Sequence, residues 1–452
     1  MTKHLLFFFF TFISLTLSAQ VENDVPLDNS PFSRFALGDF LNNNFAANSA
    51  MGGLSATYND PYHINTVNPA ASCQLKSAAY EIGISGKYAN LKDSKGSDKI
   101  VSGTINYLAL GFPLRNQINE LLDKRKKSDT KLGMHFALQP YTSVGYNIQA
   151  QSKLPGIDTV IYAYTGKGGT YKLMWGNSVG YKNFSFGLNL GYLFGTIKND
   201  RIISLYNVKD DYANDLKYET RYSGFVWNAG VQYIYDIQKT VGKKLENSGK
   251  RIIFGAHGNS ATNFNAVSAQ TIRRVNYSYV SNVGGVQVDT LFKERRLGVN
   301  GKGKLPAEFG IGVMYEKENK LKFGVNYSMG FWNQYQNDIQ PDVLKNSFVL
   351  STGVEYVPEF NSYNKYTSRI RYRAGLRYAK DPRSIKGEQI TTTGFNFGFG
   401  LPLVMPRQQV SFVDITFELG KTGVSILSEN YGKVAFGFTL NDNSWFYKRR
   451  FN

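Results

Sequence analysis

The sequence has few of the residues on which catalysis and disulfide frameworks depend. It contains one cysteine and four histidines among 452 residues, so it forms no internal disulfide. His63, His135 and His257 lie beyond the amino terminus, and none has a serine, cysteine or acidic partner at a recognised spacing. The sequence also lacks metal-ligand spacings and phosphate-binding loops. We therefore expect no enzyme, no bound metal and no cofactor.

An apolar run long enough for a membrane-spanning helix, about 20 residues, is missing as well. The one long apolar run, residues 5–17, follows Lys3 and His4 and precedes Ser18-Ala19-Gln20. This is the pattern of a secretory signal peptide, which we predict over residues 1–19. An exported chain without spanning helices can cross a membrane only with strands.

What the chain does have is alternation. In residues 185–195 one face is bulky and apolar, while glycine, serine and asparagine occupy most of the other face, and residues 394–401 and 434–440 repeat this pattern. Such strands suit a closed sheet with lipid outside. The sequence predicts an all-β fold, a transmembrane antiparallel β-barrel of about 14 strands over residues 77–452. Long polar loops are expected near residues 149–169, 199–216, 265–304 and 335–345.

The charge balance points to a partner class. The chain carries 52 Lys and Arg against 34 Asp and Glu, a formal net charge of +18. These basic residues are dispersed through loops and strand ends and form no compact arm, so we expect no nucleic-acid partner. Contact between positive loops and anionic head groups of outer-membrane lipids fits an exported protein better.

Residues 20–76 differ from the rest of the chain. They are rich in Asn, Ala, Ser and Gly and lack regular periodicity. Turn-forming residues of this kind favour a compact coil folded into a cavity. We predict an amino-terminal hatch, or plug, inside the barrel.

Short motifs in this segment resemble a known family. Gly52 and Gly53, Asp60, and then Asn68, Pro69 and Ala70 just ahead of the first strand resemble the hatch of the FadL/TodX outer-membrane transport family. Residues 30–35, Ser-Pro-Phe-Ser-Arg-Phe, and residues 139–146 resemble its branch in the Bacteroidetes, which is related to the PorV-type barrels. The resemblance covers nearly the whole mature chain. It implies a fourteen-stranded barrel in the bacterial outer membrane, closed by the hatch, that releases hydrophobic compounds sideways into the membrane.

Pro140 interrupts the third strand-like run. Proline cannot donate a ladder hydrogen bond, so it favours a bulge, an edge or a break. A break in the wall is what lateral release would require. The alternative is that Pro140 only ends the membrane-crossing part of a long strand.

A charged constellation lies in the last third of the chain. Charges on the lipid face would cost about 2 to 4 kcal/mol each, so alternation turns a set of arginines and carboxylates inward. They are Glu355, Arg369, Arg371, Arg373, Arg377, Asp414 and Glu418. We predict a lumenal charge network that braces the barrel by pairing, or that holds an anionic head group through an unpaired arginine.

Two functions follow. The first is an outer-membrane channel for passive uptake of hydrophobic or amphipathic small molecules. The alternative is an accessory barrel, a subunit of an envelope protein complex for outer-membrane secretion or assembly. A channel should have an apolar pocket or tunnel past the hatch, whereas an accessory subunit should have a filled lumen.

Overall fold

The structure is a computed structural model that describes residues 30–41, 44–94, 96–115, 129–153, 159–205, 212–241, 244–280, 284–405 and 409–442. The predicted signal peptide and residues 20–29 lie outside these ranges. Among the described residues, no helix has the length and apolar character needed to cross a membrane.

Strands dominate the described ranges, and helical structure is limited to short turns. One α-helical turn, α1, covers Ala46–Ser49, and 3-10 turns cover Pro31–Arg34, Pro69–Gln74, Trp332–Gln334 and Tyr366–Arg369. The strands are β1 (Asp39–Phe40), β2 (Ala78–Asp93), β3 (Ser97–Pro113), β4 (Thr130–Lys153), β5 (Thr159–Tyr181), β6 (Phe184–Leu205), β7 (Tyr212–Val241), β8 (Lys244–Asn259), β9 (Thr262–Val280), β10 (Gly284–Leu305), β11 (Glu308–Lys317), β12 (Leu321–Gly330), β13 (Gln336–Asn337), β14 (Ser347–Tyr356), β15 (Arg371–Ile385), β16 (Glu388–Met405), β17 (Gln409–Gly423) and β18 (Leu427–Asp442).

Fourteen of these strands close into an antiparallel barrel. β2 to β8 pair in chain order, β8 pairs with β11, and the circuit continues through β12 and β14 to β18. It closes where β18 pairs with β2, from Leu427 opposite Asp93 to Asp442 opposite Ala78. The prediction of an all-β, fourteen-stranded transmembrane barrel is confirmed.

The two faces of the wall divide as the alternation indicates. In β6, Phe186 and Tyr192 are 43% and 51% exposed, whereas Ser185 and Asn189 are each 1% exposed. Bulky apolar side chains therefore point away from the barrel axis, where acyl chains stabilise them.

The wall is not uniform in height. β11, β12 and β14 have 10 residues each, about the length that crosses a bilayer, whereas β4 to β7 have 22 to 30 residues. At about 3.3 Å per residue, β7 is roughly 100 Å long and β11 roughly 33 Å. The expectation of loops at 149–169, 199–216 and 265–304 is corrected, because strand ends and the β9–β10 hairpin occupy most of these ranges. Polar residues are frequent in these strand extensions, so the extensions resemble loops in composition.

Two neighbouring strands of this wall are interrupted at one level. β8 stops at Asn259 and β9 starts at Thr262, while β10 stops at Leu305 and β11 starts at Glu308. The chain is therefore not a single strand across residues 259–262 or across residues 305–308. Pro306 contributes to the second interruption because it has no N–H to donate.

Residues 46–75 contact all fourteen barrel strands from the inside. Thr416 of β17 donates to the carbonyl of Ala46, and Asn326 of β12 accepts from the N–H of Ala56. Glu81 of β2 accepts from the N–H of Ile64. The other eleven strands present glycines at which an added Cβ would press on this segment: Gly111, Gly133, Gly180, Gly187, Gly230, Gly255, Gly312, Gly353, Gly375, Gly398 and Gly437.

Candidate functional site

Gly52 and Gly53 form the turn that follows α1. Both have positive φ, +70° and +84°, a conformation that favours glycine. A Cβ on Gly52 would lie 2.6 Å from the carbonyl oxygen of Leu376 and 2.8 Å from that of Thr352. The turn therefore passes against the backbones of β14 and β15.

Asn68, Pro69 and Ala70 fix the other end of the segment. The Asn68 Oδ1 accepts from the N–H of Ala70 at 3.2 Å and so caps the 3-10 turn Pro69–Gln74. Its Nδ2 donates to the carbonyl of Ala56 at 2.6 Å and to that of Val231 in β7 at 3.2 Å. One asparagine thus joins two parts of the segment and attaches both to the wall.

Asp60 connects the segment to the opposite wall by charge. Its Oδ2 lies 2.9 Å from the Nζ of Lys322 in β12 and 2.7 Å from the Nη1 of Arg371 in β15. Burial by itself would raise the pKa of Asp60, but the charges of Arg371 and Lys322 hold it well below its usual range. Asp60 is therefore an ionised partner for two buried cations.

The pairing continues beyond Asp60. Lys322 lies 3.2 Å from Glu355 of β14, and the Nε of Arg373 lies 2.7 Å from the same carboxylate. Arg373 also pairs with Asp414 of β17. We call the connected set the buried ion network: Asp60, His63, Glu81, Lys322, Glu355, Arg371, Arg373 and Asp414, all of them buried.

His63 completes this network on the side of the segment. Its ring nitrogens lie 3.6 Å from Asp414 and 3.7 Å from Glu81 of β2. Burial would lower the pKa of His63, yet the carboxylates of Asp414 and Glu81 hold it above its usual value. The buried ion network therefore joins Asp60 and His63 to five strands of the wall.

The structure brings four of the seven predicted charged residues into the buried ion network, namely Glu355, Arg371, Arg373 and Asp414. Arg369 instead lies in the turn before β15, with its guanidinium 5.3 Å from the centre of the Tyr366 ring. Glu418 accepts a hydrogen bond from Tyr431 at 2.8 Å. Arg377 and Glu418 both line a polar cavity of about 420 Å³ that lies apart from the buried ion network.

The sequence interpretation did not include Lys322, Glu81 or His63. A signal existed for two of them, because Lys322 shares its strand face with Gly324 and Asn326, and Glu81 alternates in the same way along β2. His63 gave no signal, since it lies in an irregular segment.

Pro140 lies where the wall divides. The ladder between β3 and β4 ends at Leu108 opposite Leu138. Beyond that point β4 continues to pair with β5, with Pro140 opposite Tyr171 and a bulge at the next residue. Within the described ranges, the rest of β3 does not pair with β4, and β1 pairs with the freed edge of β4 instead.

The fold and this interior define the class of the protein, a transmembrane β-barrel with a chain segment packed inside it. The toluene transporter TbuX of Ralstonia pickettii is similar, with a TM-score of 0.52 and 12% identity over 88% of this chain and 99% of that one. The monoaromatic hydrocarbon channel CymD has a TM-score of 0.50 and 14% identity over 89% and 99%. A Pseudomonas aeruginosa FadL homologue has a TM-score of 0.50 and 11% identity over 88% and 97%. At such identities the likeness establishes the fold alone.

The family is established by a separate comparison. The BamG family model matches residues 1–452. The chain therefore belongs to the BamG family. No curated protein matches it.

Proposed function

We propose that this protein is an accessory barrel of the bacterial outer membrane, a subunit of an envelope complex for secretion or assembly. The observation that carries the proposal is the contact of residues 46–75 with all fourteen strands. A barrel blocked in this way at the level of residues 46–75 acts through its surfaces. Residues 20–76 are then a plug that gives the wall rigidity.

The buried ion network supports a fixed plug. Removing one partner of a buried ion pair costs about 3 to 5 kcal/mol, so displacing Asp60 would leave Lys322 and Arg371 in an unfavourable state. A plug that moved during each cycle of transport would meet this cost repeatedly. A static plug avoids it.

The tall sheet supplies a surface for a protein partner. Leu291, Phe292 and Leu297 of β10 are 62%, 48% and 64% exposed, on a hairpin that rises above the short wall formed by β11 and β12. Leu291 and Phe292 are neighbours in sequence and Leu297 follows on the same strand, so these exposed apolar side chains offer a contact to a protein partner. In the described ranges β10 pairs along its outer edge only with β13, at Gly303 and Lys304, so most of that edge is open to a further strand.

The test is purification of the tagged full chain in mild detergent with protein mass spectrometry. We expect larger envelope proteins to co-purify in fixed stoichiometry. Leu297→Glu should remove them, whereas Val343→Glu, at a loop residue that is 93% exposed, should not. Purification of a lone barrel under the gentlest extraction, with both variants behaving alike, would contradict the proposal.

A second function, passive uptake of hydrophobic small molecules with lateral release, is favoured by the division of the wall at Pro140. Pro140→Ala relieves the constraint that the proline places on β4, and we expect it to lower uptake of a labelled apolar compound into proteoliposomes. Pro402→Ala in β16 is the matched control. Equal uptake by the wild type and a well-folded Pro140→Ala variant would count against this route.

A further inference from the structure

The wall has a second opening, at β7 and β8, and the cavity behind it also touches Gln139 and Tyr141 on either side of Pro140. β7 pairs with β9 as far as Gly224 opposite Phe264 and with β8 from Ala229 opposite Gly258. Residues 225–228 of β7 therefore face the β8–β9 interruption without ladder pairing on that side. The β10–β11 interruption lies next to it, so two adjacent strands of the wall are broken at this level.

A cavity of about 220 Å³ lies behind this opening. It has room for about seven waters at ~30 Å³ each, enough for a small polar head group. Its lining includes Lys172 and Glu308, whose charges are not paired with each other in any described ion pair. The Lys172 ammonium lies 3.4 Å from the centre of the Tyr141 ring, and Glu308 accepts a hydrogen bond from Trp332. The cavity thus presents one cation and one anion to its contents.

Shared lining residues link this cavity to the outer side of the wall. A second cavity, of about 260 Å³, shares Trp227, His257 and Asn259 with the first. It shares Val231 and Ala256 in turn with an outer groove of about 500 Å³. We call this depression the outer groove. Its walls are apolar side chains of the lipid-facing surface: Phe184, Tyr233, Phe254, Ile311, Val313, Val325 and Tyr327.

The outer groove exists because small residues interrupt the bulky outer face. Ala256 lies between Val231 on β7 and Ile311 on β11, and Ala229 lies opposite Gly258. Tryptophan is frequent at the level of lipid head groups, and Trp227 lies at the junction of the opening and the outer groove. The cavity with Lys172 and Glu308 therefore lies at the level of the lipid head groups, and the outer groove lies at the level of the acyl chains.

We propose that this opening binds one phospholipid of the surrounding membrane. Its zwitterionic, ethanolamine-type head group enters the cavity, with the phosphate at Lys172 and the ammonium at Glu308. One acyl chain lies in the outer groove against Ala256. The charge pattern selects a zwitterion because a purely anionic head group would be repelled by Glu308.

Native mass spectrometry of the delipidated full chain tests this proposal, with added phosphatidylethanolamine or phosphatidylglycerol as the probe. We expect one phosphatidylethanolamine per barrel and weaker binding of phosphatidylglycerol. Lys172→Met should weaken phosphatidylethanolamine binding about tenfold, because it removes a charge-assisted contact. Ala256→Phe should do so by filling the outer groove. The matched controls are Lys167→Met, on the same strand, and Ala374→Phe, on the outer face of β15.

A measurement on the wild type stands independently of how the variants fold. Phosphatidylethanolamine with a photoreactive acyl chain should label peptides that line the outer groove, from β8 and β11. Labelling spread evenly over all strands would overturn the proposal. So would equal binding of the two lipids, or binding by Lys172→Met and Ala256→Phe at the level of their controls.

Discussion

Replacing Asp60 by asparagine tests whether the ion pairs of this residue hold residues 46–75 against the wall. The change keeps the shape of the side chain but removes the negative charge that faces Lys322 and Arg371 at 2.9 and 2.7 Å. Loss of one partner of a buried ion pair costs about 3 to 5 kcal/mol. Lys322 still has Glu355 at 3.2 Å as a partner, so the change leaves only one cation, Arg371, without an ion pair among the described residues. For one unpaired cation we expect the lower end of that range, a decrease of about 3 kcal/mol in the free energy of unfolding.

The assay is denaturant unfolding of the full chain in lipid vesicles, followed by tryptophan fluorescence. Glu318→Gln, at an exposed turn residue, is the control and should stay within about 0.5 kcal/mol of the wild type. The double variant Asp60→Asn with Arg371→Met removes the stranded cation, so it should be more stable than the sum of the two single effects predicts, by about 0.5 to 3 kcal/mol. If Asp60→Asn is as stable as Glu318→Gln, or if the two changes are additive, the segment is not held by this pairing.

Two further predictions concern the same interior. Gly230→Val should destabilise the barrel by about 1 to 3 kcal/mol, since its Cβ would overlap Asn68. Gly86→Val should be tolerated, because the nearest contact of its Cβ would be at 3.8 Å. Equal stability of the two variants in the same unfolding assay would mean that Asn68 does not pack against β7. Because the pKa of His63 is raised in the folded protein, its stabilising contribution is complete below its unfolded value of about 6.5 and is lost as pH rises through the folded value. The unfolding free energy of the wild type should accordingly fall more steeply with rising pH above that point than that of His63→Gln, and parallel profiles would refute the assignment.

The sequence predicted the structure well where a periodic pattern is compatible with only one arrangement of the strand in the membrane. Alternation in β6, β16 and β18 predicted both the strands and the faces that they present, because a charge on the lipid side is unfavourable. The same logic placed Arg371 and Arg373 inside. It failed for the β9–β10 hairpin, since the many polar residues of these two strands give the hairpin the composition of a loop.

Long-range partners were the second limit. Alternation shows that Glu355 and Asp414 point inward, but their distance from Arg373 depends on the register of the sheet, which the sequence does not display. His63 and Asp60 belong to an irregular segment, and only the fold brings them to the wall. The openings at Pro140 and at residues 225–228 likewise depend on where ladders end. A proline marked the first of these on β4, whereas β7 carries no comparable mark.

The closure between β2 and β18 has a consequence for biogenesis. Residues 46–75 directly precede β2, and they touch every strand of a ring whose seam joins the first long strand to the last. Inserting these residues into an already closed barrel would require their asparagine and aspartate side chains to pass the closely packed strand ends. The geometry instead favours an order of folding in which the strands assemble around residues 46–75 and β2 pairs with β18 last.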